Sequence, residues 1–343
     1  MQGLDGLRGV AACLVAFLYH GQFMYNADVG AEFGAIWPLS WIYQSGWTIV
    51  DLFFVLSGFI FAHVYLGARP LVTAGDIRDF AVARFARLYP LHLSLLIATA
   101  LLFSHRLEND LGGFFLNLFM LQALLPAGQH GFIGPSWSVS VEVFCYLIFA
   151  GAAVLFRRNM GVFAVLACLA GAGLMLLDIP QREPSPVSAL GRGLFGFFAG
   201  QLLWQARHLG ERLATGWLLL GAVLGITLAS GPIHPVAPMV LITAPCLMFA
   251  AMRLRWFAAP VMIWLGDRSY TIYLVHMIPH YLILLGHGGA LPFSPFAFLW
   301  GHILFIGATL VASDLLYRTL EVPMRRAITA AWMQRRHQPV PAL

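Results

Sequence analysis

Apolar residues run in blocks of about twenty along almost the whole chain, and charged residues collect between the blocks. A helix rises about 1.5 Å per residue, so each block is long enough to cross the roughly 30 Å hydrocarbon core of a bilayer. The pattern predicts ten crossing helices, over 5–24, 45–66, 83–104, 135–156, 160–178, 188–206, 214–230, 236–252, 268–286 and 293–317. One further run, 112–125, is shorter and is bounded by Gly112-Gly113 and Pro126. It predicts a re-entrant or interfacial helix. No long polar linker divides the chain, so 1–343 reads as a single all-α integral-membrane domain with no soluble domain attached. Residues 334–343 read as a disordered tail.

Charge supplies the orientation. All twenty basic residues are arginine. With a cytoplasmic N-terminus and 112–125 not crossing, only Arg106, Arg182 and Arg192 fall outside, as positive-inside bias requires. If 112–125 crossed, every later loop would flip and the bias would vanish. Both termini are therefore expected in the cytoplasm. The net charge of +5 reads as arginine held at one membrane face rather than as a nucleic-acid surface. The first helix lacks a basic leader and a cleavage site, so it is expected to be retained.

Composition agrees with the pattern. The chain is 60% hydrophobic and 10% charged, with a mean hydropathy of +0.79, whereas about a quarter of a soluble domain is charged. Cys13, Cys145, Cys168 and Cys246 are scattered through apolar runs with no CxxC pair. They read as small buried hydrophobes, and neither a metal site nor a disulfide framework is expected.

Ionisable side chains inside apolar helices are costly and are usually kept for function. Arg8 and His20 lie at the two ends of the first span. Counting along the spans puts His20, Asp51 and Glu142 at one depth, about 10 Å below the outer face. That predicts a histidine with carboxylate partners; the plain alternative for the carboxylates is hydrogen bonding between helices. At the inner face, Arg8, Arg84 and Arg87 gather, with His92 one or two turns deeper. Guanidinium forks match phosphate oxygens, so this cluster can hold a phosphorylated cytoplasmic donor. The plain reading of Arg84 and Arg87 is positive-inside anchoring. His276 is expected in the cytoplasmic half. His92 and His276 have interhelical packing as their plain reading. Ser136, Trp137 and Ser138 stand where they can cap the fourth span or shape an outer pocket. Glu321 is expected to pair with an arginine at the inner surface. A histidine with a carboxylate partner can take the proton of a hydroxyl attacking a thioester, or can carry the acyl group itself.

Six segments strengthen this picture. They are Leu4-Asp5-Gly6-Leu7-Arg8-Gly9 with His20; Asp51 to Phe59, including Ser57-Gly58; Arg84 to Pro90; Pro135 to Glu142; Ser269-Tyr270 to His276; and Tyr317-Arg318 with Glu321 and Pro323. In this order they resemble acyltransferase family 3, the integral-membrane O-acyltransferases, over nearly the whole chain. The resemblance implies a ten-helix core and transfer of an acyl group, most often acetyl, from cytoplasmic acyl-CoA to a hydroxyl of an extracytoplasmic or lipid-linked glycan. It implies a multi-pass protein of the bacterial inner membrane with no bound cofactor. It also implies essential roles for Arg8, His20, Arg84 and Arg87. Asp5, Ser57, Trp137, Ser138 and Tyr270 belong to the same motifs and are further candidates. One spacing departs from the family pattern. Ten residues usually separate the arginine and histidine of the first helix, and here eleven do, Gly9 to Tyr19. Either a bulge absorbs the extra residue, or Arg8 and His20 face different walls. A transporter or flippase with a buried proton relay is the alternative from another class, since buried charge also suits transport. The absence of a repeat and the gathering of arginines at one helix entrance favour the enzyme.

Overall fold

The computed structural model describes residues 1–33, 36–104, 106, 109–125, 131–177, 185–231 and 234–336. Pro126, Arg182 and the end of the expected tail, 337–343, lie outside the described residues. The rest of that tail, 334–336, is helical. We label the principal helices α1 (Gln2–Cys13), α2 (Ile49–Ala62), α3 (Ala74–Leu102), α4 (Leu111–Leu118), α5 (Trp137–Leu155), α6 (Met160–Leu176), α7 (Pro186–Gln205), α8 (Thr215–Ala229), α9 (Ala244–Arg253), α10 (Pro260–Val275), α11 (Met277–His287), α12 (Pro295–Leu316) and α13 (Val322–Arg336). The described residues form no strand; a single bridge joins Tyr25 to Leu291.

Seven helical stretches among the described residues are long and apolar enough to cross a membrane: Gln2–Met24, Leu39–Ala68, Ala74–Leu102, Gly134–Leu155, Arg157–Leu176, Val236–Arg253 and Pro295–Arg336. Each covers one of the ten expected runs. The other three runs are also helical, for separate reasons shorter or more polar. Helix α7 carries Arg192. Helix α8 has 15 residues. The run 268–286 is broken at His276 into α10 and α11; Pro279 has no amide hydrogen to continue the ladder there. Helix α4 has eight residues, about 12 Å of rise, too little to cross.

Glycines set how closely the helices pack. The most extensive contacts are α7 on α6, α7 on α2, and α1 on α10. On α1, a side chain at Gly3, Gly6 or Gly9 would strike the Ala251 carbonyl, the Phe257 carbonyl or the Gly266 amide. From the other side, one at Gly266 would strike the Asp5 carbonyl. Between α2 and α7 the same holds for Gly58 against the Phe197 carbonyl and Gly200 against that of Val55. In lipid, close backbone approach through small residues is a main source of helix association. Gly200→Leu is therefore expected to cost about 1–3 kcal/mol through overpacking. Thermal unfolding in detergent checks this; an unchanged midpoint would contradict the packing argument.

Candidate active site

A cavity of about 270 Å³ opens between α1, α2, α3, α5 and α10, lined by Arg8, Arg84 and Arg87 together with Ser57, Glu142 and Tyr146. Helix α1 delivers Arg8 by its glycine contact with α10. The Arg8 Nε–H donates to Ser269 Oγ at 2.9 Å. Its Nη2 donates to Asp5 Oδ1 at 3.0 Å and to the Gly266 carbonyl at 3.2 Å. The Arg84 guanidinium lies 5.1 Å over the Phe61 ring, and its Nη2 reaches Tyr65 Oη at 3.4 Å. Its Nε is buried without an acceptor. Arg87 has no hydrogen-bonded or ion-paired partner among the described residues. Glu142 Oε1 accepts from Ser57 Oγ at 2.7 Å and from Tyr146 Oη at 2.6 Å. Three guanidiniums thus meet two carboxylates, Glu142 in the cavity wall and Asp5 paired with Arg8, which leaves a surplus of positive charge suited to an anion.

This geometry corrects the expected levels. Glu142 sits with the three arginines, not with His20. The arginines lie deeper than the ends of the apolar runs imply, because the helices begin earlier. Helix α1 starts at Gln2 and α3 at Thr73-capped Ala74, so Arg8 is about 9 Å and Arg84 about 15 Å along its own helix.

His20 pairs with His276. The His20 Nδ1 and His276 Nε2 atoms are 3.0 Å apart, with ring centroids at 4.8 Å. The expectation that His276 lies in the other half of the protein is therefore wrong. Helix α10 begins at Pro260 rather than near 268, which carries His276 about 24 Å along it to the end where His20 stands. The extra residue between Arg8 and His20 is absorbed by a π-helical stretch, Leu14–Tyr19. The His20 amide bonds the Val15 carbonyl, five residues back, at 2.9 Å. As a result Arg8 and His20 both contact α10 or its end, Arg8 at Gly266 and Ser269 and His20 at His276. They share one wall and occupy two stations along it.

Tyr273 belongs to both stations. It lines the cavity, and its ring lies 6.1 Å from that of His276. Ser138 Oγ donates to the Pro135 carbonyl at 3.1 Å and bonds Tyr273 Oη at 2.9 Å. Ser138 also lines the cavity, so its place is in the pocket wall. Ser136 makes no helix cap either; its hydroxyl and carbonyl accept from Gln122 Nε2 at 3.0 Å each.

Asp51 is not beside His20. It accepts a bidentate bond from Arg192, Nε to Oδ1 at 3.0 Å and Nη2 to Oδ2 at 2.9 Å. The two side chains are 0% and 1% exposed. The Arg192 guanidinium lies between Trp47 and Trp137, 4.7 and 4.9 Å from their ring centroids. Arg192 is thus a core residue of α7 rather than an outer-loop arginine. Trp137 helps to cage it instead of shaping the cavity.

The remaining candidates divide. Tyr270 lines the cavity and its hydroxyl donates to the Leu88 carbonyl at 2.7 Å, tying α10 to α3. His92 is buried and bonds the Asn117 carbonyl at 2.8 Å, so it joins α3 to α4 away from the arginines. Glu321 is also buried, and it accepts from Thr271 Oγ1 at 2.6 Å instead of forming the expected surface ion pair. Reading the sequence missed Tyr146, Tyr273 and the role of Arg192. Tyr146 was findable, since four residues place it on the same helix face as Glu142. Arg192 carried a signal as an arginine inside an apolar helix.

Comparison with known proteins decides the class. The model of the acyltransferase domain, family 3, matches residues 1–318. The chain belongs to acyltransferase family 3. It is similar to the acyltransferase MdmB of Streptomyces mycarofaciens, at 28% identity over 96% of this chain and 92% of that protein. It is also similar to the peptidoglycan O-acetyltransferase OatA of Listeria monocytogenes, at 23% identity over 94% of this chain and 55% of that protein. The putative peptidoglycan O-acetyltransferase YrhL of Bacillus subtilis matches at 26% identity, over 94% and 54%. The chain thus spans nearly all of MdmB and about half the length of the two peptidoglycan O-acetyltransferases. No solved structure matches it. As a member of acyltransferase family 3 it is an enzyme that transfers acyl groups, which sets the transporter reading aside.

The Asp51–Arg192 pair is structural on this geometry. Arg192→Leu leaves a buried carboxylate without its partner and is expected to cost about 3–5 kcal/mol. The double variant Asp51→Leu/Arg192→Leu should recover much of that loss. Unfolding midpoints of the three proteins check it; equal losses in the single and double variants would contradict it.

Proposed function

We propose that this chain is an O-acyltransferase of the bacterial inner membrane, with both termini in the cytoplasm. It moves an acyl group, most readily acetyl, from cytoplasmic acyl-CoA to a hydroxyl of a cell-surface or lipid-linked glycan. The observation that carries the reading is the two-station arrangement along α10: an arginine-rich cavity at Gly266 to Tyr273 and a histidine pair at His276. Arg8, Arg84 and Arg87 bind the phosphates of the donor by charge-assisted bonds. Their cavity is continuous with the apolar side chains of Val50 and Phe53, a surface suited to the pantetheine and acyl portions. At the other station His20 is the general base. The acceptor hydroxyl oxygen attacks the thioester carbonyl while its proton passes to His20, the carbon–sulfur bond breaks, and the CoA thiolate leaves and takes up that proton from the His20 imidazolium, which restores the neutral base. The names of the relatives OatA and YrhL support a glycan acceptor.

His20→Ala is expected to abolish transfer in a protein that still inserts and unfolds at the wild-type temperature; retained activity would refute the base assignment. Arg84→Ala is expected to raise the KM for acyl-CoA by about 10- to 100-fold, the worth of one charged hydrogen bond, and to leave the KM for the acceptor unchanged. Calorimetry with acetyl-CoA reads the same contact directly, and absence of binding to the purified protein would overturn the donor. Mass spectrometry of surface glycans from cells with and without the gene identifies the acyl group and the acceptor together.

A further inference from the structure

We propose that His276 is a positioning residue that holds His20 in the one tautomer able to act as a base, an inference that rests on His20 being the base. The argument is one of donors and acceptors. A carbonyl oxygen only accepts. The His276 Nδ1 atom lies 3.3 Å from the Ile272 carbonyl oxygen, one turn back on α10. Nδ1 of His276 therefore carries the hydrogen and donates it. In a neutral imidazole the other nitrogen is then an acceptor. That nitrogen, Nε2, is 3.0 Å from His20 Nδ1, so the hydrogen between the rings belongs to His20 Nδ1. The chain of bonds runs from His20 through His276 to the Ile272 carbonyl, and it leaves the lone pair of His20 on Nε2. Nε2 has no hydrogen-bond partner among the described residues.

The surroundings make the lock one-way. His276 is 0% exposed, held at the break between α10 and α11, whereas His20 is half-buried. The inner ring is fixed by the backbone and the outer ring is open to a reactant. The π-helical turn before His20 completes the geometry, because it rotates His20 onto α10. When Nε2 takes the hydroxyl proton, His20 becomes an imidazolium whose Nδ1–H still donates to His276, so the charge forms beside a fitted acceptor. The logic is that of a base oriented by a third group, with a neutral histidine and a carbonyl where a carboxylate more often stands. Glu142 and Asp51, the carboxylates that a depth count assigns to that orienting role, both bond to other partners.

Three proteins test it. His276→Leu fills similar space without an acceptor. It is expected to lower kcat by about 100- to 10,000-fold, the range general-base catalysis contributes, with the KM for acyl-CoA unchanged. His276→Gln offers an amide oxygen near the position of Nε2 and is expected to stay within about 10-fold of wild type. A merely structural role predicts that both variants fail alike with lowered unfolding temperatures, and that result would overturn the proposal. Wild-type kcat in His276→Leu would overturn it as well. Nitrogen-15 NMR of histidine-labelled protein, assigned by difference against His20→Ala, reads the tautomer without any turnover. A hydrogen on His20 Nδ1 in wild type supports the lock, and one on Nε2 overturns it. If instead His20→Ala remains active, the base assignment under Proposed function falls, while the NMR result still decides the tautomer.

Discussion

The site depends on how closely α1 can approach α10. Gly9 and Gly266 bring these two backbones together at distances no side chain would allow, while Gly3 and Gly6 seat α1 against the carbonyls of Ala251 in α9 and of Phe257. Once they touch, the direction of every side chain on that face of α1 is set. Arg8 meets Gly266 and Ser269, and His20 meets His276. The glycines of the first motif are therefore packing residues, and they act on the chemistry by fixing where Arg8 and His20 stand.

Two buried polar systems share the interior, and they do different work. The Asp51–Arg192 pair is sealed, bidentate and flanked by Trp47 and Trp137, and it offers nothing to a substrate. The Glu142 carboxylate is bonded through one oxygen to Ser57 and Tyr146 and faces a cavity with three arginines. A paired charge without access is a structural element, and its main energetic consequence is the cost of breaking it. Surplus positive charge beside a cavity is an affinity for anions. Satisfaction of partners, more than depth in the membrane, separates the two cases.

The π-helical turn at Leu14–Tyr19 shows how a spacing that departs from a family pattern can conserve geometry. One added residue on a regular helix rotates every later side chain by about 100°. Widening a single turn takes up that residue and returns His20 to the α10 side. Similar wide turns follow α2 at His63–Ala68, precede α9 at Met239–Thr243 and join α12 to α13 at Tyr317–Glu321. The last of them presents Glu321 to Thr271.

Local hydrophobic length and motifs contiguous in the chain suffice for the helical class, the runs that become helices, the short 112–125 piece and the family. The grouping of Arg8, Arg84 and Arg87 was legible too, since they sit in motifs at helix beginnings. Partnerships were not. Depth counted from apolar boundaries put Asp51 and Glu142 with His20, but helices extend past their apolar runs through polar first turns, as at Thr73–Asp76. A shift of eight residues in the start of α10 moves His276 about 12 Å. Only the tertiary structure could pair His20 with His276, Asp51 with Arg192 and Glu142 with Ser57 and Tyr146. Those choices are made between helices distant in sequence, where backbone approach and rotation decide which polar groups meet.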